Sequence, residues 1–373
     1  MAMQPPTQPT PIPPATMPLI SPPALLQAYL SQSPPLRPSN RTPHSTRPIN
    51  LNVGSLTHCN GSSLIKIGES TIVCGIRAEI LPVSEIPHFR ASENARQETT
   101  AQGDGADEED VYEAVTLNNL LVPNLELNTN SHPSFSANSP PSATAQSLSQ
   151  RLLSLLHSTR LVRASTLEIR HTSTAVSLLD PDDEAYIPPE TNVLKAYWVL
   201  YIDCVALSYG GESSMFDAAV MAIVAALRDV RLPAARWDED AKRVVCDAKY
   251  EKATRLSMRG LPCSLGFGVF VPDGKLLHSR GEVNGAAQTG SRGETGMEAT
   301  ILVDMDGFED DVCEERGNVV VDCEAGKLRV WRIEKIGGQG KLGVEDVKEV
   351  LRKAETRWRE WVGVLEAALR SSR

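Results

Sequence analysis

Long uncharged apolar runs are absent from this 373-residue chain. None reaches the length of about eighteen residues that a membrane-crossing helix requires, so no membrane partner is expected. The opening stretch, MAMQPPTQPTPIPP, has neither the charged start nor the apolar segment of a secretory signal. A soluble intracellular protein is expected. Paired cysteines are absent too. The seven thiols, Cys59, Cys74, Cys204, Cys246, Cys263, Cys313 and Cys323, are odd in number and never form a C-x-x-C pair. That spacing supports neither a disulfide framework nor a structural zinc site. Cys74 and Cys204 fall in apolar strand-like runs, where a reduced thiol behaves as a small hydrophobe. The seven histidines make no H-x-x-x-H pair, so neither a metal nor a cofactor is expected. Two catalytic signatures are also missing. Gly210-Gly211-Glu212-Ser213-Ser214 lacks the closing glycine of G-x-S-x-G, and GGQGKLG at 337–343 has no Lys-Ser/Thr opening a helix.

A basic excess is the last absence. The chain has 37 Lys and Arg against 47 Asp and Glu, a net charge of −10, which argues against a dedicated DNA binder. The acidity is local, however. Windows 85–113, 180–190 and 304–315 together carry −19, which leaves +9 on the rest. The apolar share of 41% is enough for a sizeable core, and the length fits one large or two medium domains.

The first fifty residues hold fourteen of the 26 prolines and no acidic residue. Proline removes a donor and fixes φ, so residues 1–44 are expected to form an arm draped over another surface, with two helical turns near 23–30. Alternating patterns predict strands at 49–54, 63–68 and 71–79, a meander with short connections. Residues 82–114, ending near Asp107-Glu108-Glu109-Asp110, read as an acidic insertion, and 279–299 as a second one. Helical spacing covers 145–161, a strand is expected at 165–170, and 180–190 reads as an acidic turn. The run 197–207 predicts a buried strand, followed after Gly210-Gly211 by a helix over 215–230 that is apolar on every face and hence central. After a polar link, strands recur at 264–271, 300–304, 317–323 and 326–335. A C-terminal helix follows at 344–370.

Most carboxylates read as solvated. Asp304, Asp306, Glu309, Asp310 and Asp311 are expected to form an exposed turn between strands, since they do not match a calcium loop. Asp203 differs because it interrupts an apolar strand. Burying a lone carboxylate costs several kcal/mol, so it is expected to have a partner or face a cleft.

Taken together, Ile49–Leu56, Gly61–Glu79, the run VLYIDCVALSYGGESSMFDAAVMAIVAALRDVRLP from Val199, and LVDMDGFEDDVCEERGNVVVDCEAGKLRVWRIEKIGG over 302–338 resemble the RNase PH family. The likeness covers roughly 45–236 and 258–370, and within the family it is similar to the non-catalytic ring subunits of the eukaryotic RNA exosome. It implies an α+β, RNase PH-like fold (ribosomal protein S5 domain 2-like). Two βαβ-containing halves are implied, at 45–236 and 258–336, with the acidic loops as insertions. It further implies a place in a six-membered ring beside other ring subunits, chiefly ribosomal RNA-processing protein 46, with cap subunits and an associated nuclease. RNA would thread the ring's channel, in the nucleus, nucleolus and cytoplasm.

Departures from the family pattern point away from catalysis. Active members carry several aspartates on and after the strand matching 199–209, where this chain keeps Asp203 but has Val205 and Tyr209. On the helix matching 148–160, Leu155 and Ser158 stand where active members grip phosphate with arginines. The motif Arg-Pro-Asp-Gly-Arg is reduced to Arg37-Pro38-Ser39-Asn40-Arg41. The resemblance thus implies a degenerate centre, with no metal and no catalytic residue. Arg151, Arg160 and Arg163 are candidates for contact with RNA phosphates. Two rivals stay open: a phosphate-dependent 3'-5' exoribonuclease using Asp203, and a free-standing small-molecule enzyme.

Overall fold

In a computed structural model of the chain, residues 16–87, 112, 114–136, 140–173, 191–272, 299–313, 315–324, 326–338 and 342–371 are described. The run Asp107–Asp110, the turn at 180–190 and nearly all of 279–299 lie outside them.

Alternation builds the first sheet. Strands β1 (Ile49–Val53), β2 (Gly61–Ile67) and β3 (Ser70–Pro82) form an antiparallel meander, and the long β6 (Thr191–Ser208) pairs with β3. Strand β4 (Leu121–Glu126) runs parallel to β6, reached through helix α3 (Ala143–Thr159) and β5 (Glu168–Ser173), which is antiparallel to β6. The sequence pattern had not marked β4. Its LVPNLE contains Pro123, and proline fits a sheet margin, which is where the order β1-β2-β3-β6-β4 puts it.

The second sheet is smaller, in the order β12-β11-β13-β14, with β11 at Cys263–Phe270, β12 at Thr300–Val303, β13 at Glu315–Glu324 and β14 at Lys327–Ile336. Both β12 and β13 are antiparallel to β11, so they run parallel to one another across it. The short helix joining them completes a split βαβ unit. Between the halves lie the two-residue strands β7 (Arg231–Leu232) and β10 (Thr254–Arg255) and a hairpin, β8 (Ala235–Asp238) with β9 (Arg243–Cys246). Sequence reading had taken this stretch for a polar link.

The central helix explains its own composition. Helix α4 (Glu212–Asp229) has every residue from Ser213 to Leu227 buried, because β2 and β3 cover one side and β11 covers the other. On the far face of the second sheet lies the C-terminal helix α6 (Val344–Ser371). Its Val350 and Ala354 pack on Leu265, Val319 and Val321, while Trp361 and Leu365 join the core of the first half.

The acidic turn at 304–311 is solvated only in part: Asp311 is exposed as expected and Asp306 half-buried, but three carboxylates correct the sequence reading. Asp304, Glu309 and Asp310 are buried, and Gly307–Val312 forms helix α5 with a capping box between Asp306 and Glu309. The missing counter-charges come from the acid-free arm. Its helices α1 (Met17–Ile20) and α2 (Pro22–Leu30) precede a strap that lies on the second half. There Leu26 packs with Phe270, Leu302, Met305 and Cys313. Arg37 pairs with Glu309 at 3.0 Å, and Arg47 pairs with Asp304 at 2.5 Å. These two pairs differ in kind. For Arg37 and Glu309, burial dominates, pulling the guanidinium below and pushing the carboxyl above their ordinary values. For Arg47 and Asp304, burial is outweighed by mutual attraction, which holds the carboxyl below the usual carboxylate range and the guanidinium above its own.

The pair at Arg47 is also a junction. Its guanidinium donates to Ser214 of α4 and to the Met305 carbonyl, and its own carbonyl accepts from Arg357 of α6. A side chain at Gly68 would collide with it, and that residue also has φ +57°.

Truncation of residues 1–44 should therefore destabilise the protein by at least about 3 kcal/mol, since it uncovers an apolar patch and strips Glu309 of its partner. Urea unfolding followed by tryptophan fluorescence measures this. An unchanged midpoint would mean that the arm is no part of the folded unit.

Candidate functional site

Strand β6 delivers its residues to two environments. Ile202, Cys204 and Ala206 are buried, while Asp203 and Leu207 alternate with them and are exposed. Asp203 is thus not a buried lone carboxylate, because a strand's period of two puts it on the exposed face. Val205 is half-buried on that same side. Tyr209 ends the strand in a cluster of rings, 5.2 Å from Phe135 and 5.9 Å from His132. Burial raises its phenol pKa, and the neighbouring Asp310 and Glu212 add to the effect. Among the described residues, no group of three or more His, Cys, Asp or Glu side chains is placed to hold a metal ion. Buried Cys263 and Cys313 have thiols pushed up by burial, the latter to about 12.

After Tyr209, Gly211 takes φ +99°, a conformation that lets the chain turn tightly into α4. The first free N–H groups of a helix are an anion site. Here a carboxylate of the chain itself fills it. The N–H of Glu212 donates to Asp310 Oδ2 at 2.7 Å, and Arg316 reaches the same oxygen at 3.2 Å. Burial still pushes the Asp310 carboxyl above its ordinary value, against the pull of Arg316 and the helix N–H groups.

Arg151, one of the three sequence candidates, is committed elsewhere. It pairs with Glu334 at 2.9 Å and Glu212 at 3.4 Å, donates to Asn318 Oδ1 at 2.9 Å, and lies over the Phe216 ring at 4.2 Å. Its side chain is only 11% exposed. Asn318 passes the connection inward by donating to Asp217 Oδ1 at 3.0 Å. Asp217, which sequence reading missed, also accepts from the Ser264 hydroxyl and the Gly266 N–H. These bonds join α4 to the second sheet.

Arg160 and Arg163 meet different surroundings. Helix α3 ends at Arg160, in the left-handed region. The chain then clasps the segment leading into β11: Arg163 N–H donates to the Ser257 carbonyl, Arg259 N–H donates to the Leu161 carbonyl, and Val162 bridges Met258. Beside this clasp is a cleft of about 780 Å³ lined by Ser158, Arg160, Arg163, Arg259, Arg329 and Trp331, among others, and Gly260 of the lining lies against the Asp322 carboxylate. The Arg329 guanidinium stacks over Trp331 at 3.7 Å. Arg259, Arg329 and Trp331 come from the second half and carried no local signal in the sequence.

Comparison with known proteins decides the family. The model of the 3' exoribonuclease family, domain 1 (RNase PH), matches residues 45–233. The exosome complex component rrp43 of Schizosaccharomyces pombe is 32% identical over 258 residues, covering 69% of this chain and 74% of that protein. The chain belongs to the RNase PH family. The exosome complex component Rrp42 of Methanothermobacter thermautotrophicus is 23% identical over 229 residues, covering 61% of this chain and 64% of the relative. Two solved structures share the fold. An Archaeoglobus fulgidus exosome with RNA bound to the active site aligns with TM-score 0.56 at 18% identity, covering 91% of this chain and 95% of that one. An archaeal exosome core aligns with TM-score 0.53 at 16% identity, covering 93% and 99%.

Within this RNase PH fold, the two helix positions that the resemblance singled out, Leu155 and Ser158, separate. Leu155 is buried in the core, whereas Ser158 lines the arginine cleft and turns its hydroxyl back to the Leu155 carbonyl.

Asp217 yields a pH prediction. Burial pushes its carboxyl up to about 6 from an ordinary 3.8. A raised folded-state value makes the ionised form a cost that is fully present above about pH 6 and relieved as the pH falls towards 4. Wild-type unfolding free energy should therefore rise on acidification through this window, relative to Asp217→Asn, by up to about 3 kcal/mol. Urea unfolding from pH 7 to 4 checks it; parallel profiles would mean that Asp217 is not strained by ionisation.

Proposed function

We propose that this RNase PH family member is a non-catalytic ring subunit of an RNA exosome. It scaffolds the ring and helps thread RNA for 3'-5' degradation and for 3'-end processing of ribosomal and other RNA. The carrying observation is the capped start of α4. Phosphorolysis requires inorganic phosphate beside the scissile ester and carboxylates that hold a divalent ion. Asp310 already supplies the anion at that helix end, and Glu212 beside it would repel a second one. Asp203 stands exposed, with Val205 and Tyr209 in place of further carboxylates. The residues present do not fit a metal-assisted phosphorolytic centre.

The printed names of the relatives, both exosome components, support the ring reading. Its neighbours in this reading are other RNase PH-like subunits, chiefly ribosomal RNA-processing protein 46, together with cap subunits and the associated nuclease. It would work in the nucleus, nucleolus and cytoplasm.

Co-expression with the candidate neighbour, followed by native mass measurement, should give a stoichiometric heterodimer. Incubation with 3'-tailed RNA, Mg²⁺ and phosphate should release no nucleoside diphosphate. A monomer with turnover that Asp203→Asn abolishes would overturn the reading in favour of an active phosphorolytic exoribonuclease.

A further inference from the structure

We propose that Ser39 is a phosphorylation site, and that its phosphate is held by Arg41 and fastens the arm to the acidic turn. Ser39 and Asn40 form the exposed tip of a tight loop in the arm. Two main-chain bonds close that loop, from the Asn40 N–H to the Arg37 carbonyl at 2.9 Å and from the Arg37 N–H to the Arg41 carbonyl at 2.8 Å. The residues before it, Ser31–Pro35, are exposed as well, which leaves a protein kinase room to approach. Neighbouring hydroxyls are turned onto the main chain. Ser31 donates to the Gln27 carbonyl at 2.6 Å and Ser45 to the Thr42 carbonyl at 3.0 Å. Ser39 does the opposite: its Oγ accepts from Arg41 Nε at 3.1 Å.

Arg41 has the capacity to hold more than a hydroxyl. Its Nη1 donates to the Asp304 carbonyl at 3.1 Å. Its Nη2 is buried without a hydrogen bond, 3.6 Å from both the Asp306 and the Glu309 carboxylates. Nε and Nη2 share one edge of the guanidinium plane, the kind of edge that grips a phosphate with paired bonds. Glu309 and Asp304 already have Arg37 and Arg47 as partners. A phosphate on Ser39 therefore takes from Arg41 chiefly its loose contact with Asp306. The motif that Arg37–Arg41 resembles carries aspartate where Ser39 stands, so the loop accommodates an acid there. In the transfer, a bond forms between Ser39 Oγ and the γ-phosphorus of ATP as the bond to ADP breaks. The hydroxyl proton passes to the kinase's base. The added charge of about −1.5 to −2 then meets a guanidinium already in place.

Two measurements test this on the full chain. Phosphopeptide mapping by mass spectrometry, on protein isolated from its own growing, stressed and stationary cells, should find phosphate on Ser39. Its absence from all three, or phosphate only on Thr42 or Ser45, would overturn the site. The second uses the chain with phosphoserine incorporated at position 39 during synthesis. In phosphorus NMR, the second ionisation of that phosphate should fall about half a pH unit or more below its ordinary value of about 6, and return to it in Arg41→Gln. The phosphorylated chain should also have a higher urea midpoint than Ser39→Ala, and Arg41→Gln should abolish that gain. A phosphate that titrates at its ordinary value, or one that lowers the midpoint whether or not Arg41 is present, would overturn the clamp. Neither the mapping nor the titration of the chain with Arg41 intact depends on an arginine variant that must fold. Failure here leaves the ring reading untouched, since native mass decides that separately.

Discussion

The buried attraction between Arg47 and Asp304 holds this structure's layers in register. Asp304 ends a strand of the second sheet, Arg47 lies just before the first strand of the first sheet, and the guanidinium reaches α4 while its carbonyl takes a bond from α6. Four layers thus meet at one charge pair. A buried pair is stabilising only when attraction exceeds the loss of hydration. The opposite shifts of Arg47 and Asp304 indicate that it does here, whereas at Arg37 and Glu309 hydration loss wins. The second pair therefore owes its place to the packing of Leu26 and to the fixed geometry of the strap.

The same economy of charge bears on function. Carboxylates that might have gathered metal or repelled the leaving product are spent inside the molecule: Asp304 on the arm, Asp310 on the start of α4, Asp217 on the second sheet. Glu212 and Glu334 hold Arg151 in the same way. In the proposed reading, a chain whose carboxylates are committed in this way is suited to holding and guiding RNA rather than cutting it.

Elements with a strong local period were legible in the sequence. Helix α4 announced its central place because no face of it is polar, and α6 showed a stripe that the second sheet and the first half both use. Strand β4 was not legible, since Pro123 and two polar residues disguise a strand at a sheet margin. The acidic turn was misjudged for a different reason. Its partners lie 257 and 272 residues upstream, in an arm whose composition suggested that it drapes over another surface but not over which one. Asp203 was misjudged because apolar neighbours in sequence are, in a strand, neighbours on the other face. The cleft was half visible: Arg160 and Arg163 are close in sequence, but Arg259, Arg329 and Trp331 join them only through the clasp between halves.

The central claim is that the acidic turn serves as an internal counter-charge for the arm. A double-mutant cycle of Arg47→Met and Asp304→Asn, read by urea unfolding, tests it most directly. Each single change should cost about 3–5 kcal/mol because it strands a buried charge, and the pair together should cost less than their sum by about 2 kcal/mol or more. Additive losses, or single losses below about 1 kcal/mol as for an exposed pair, would contradict the account.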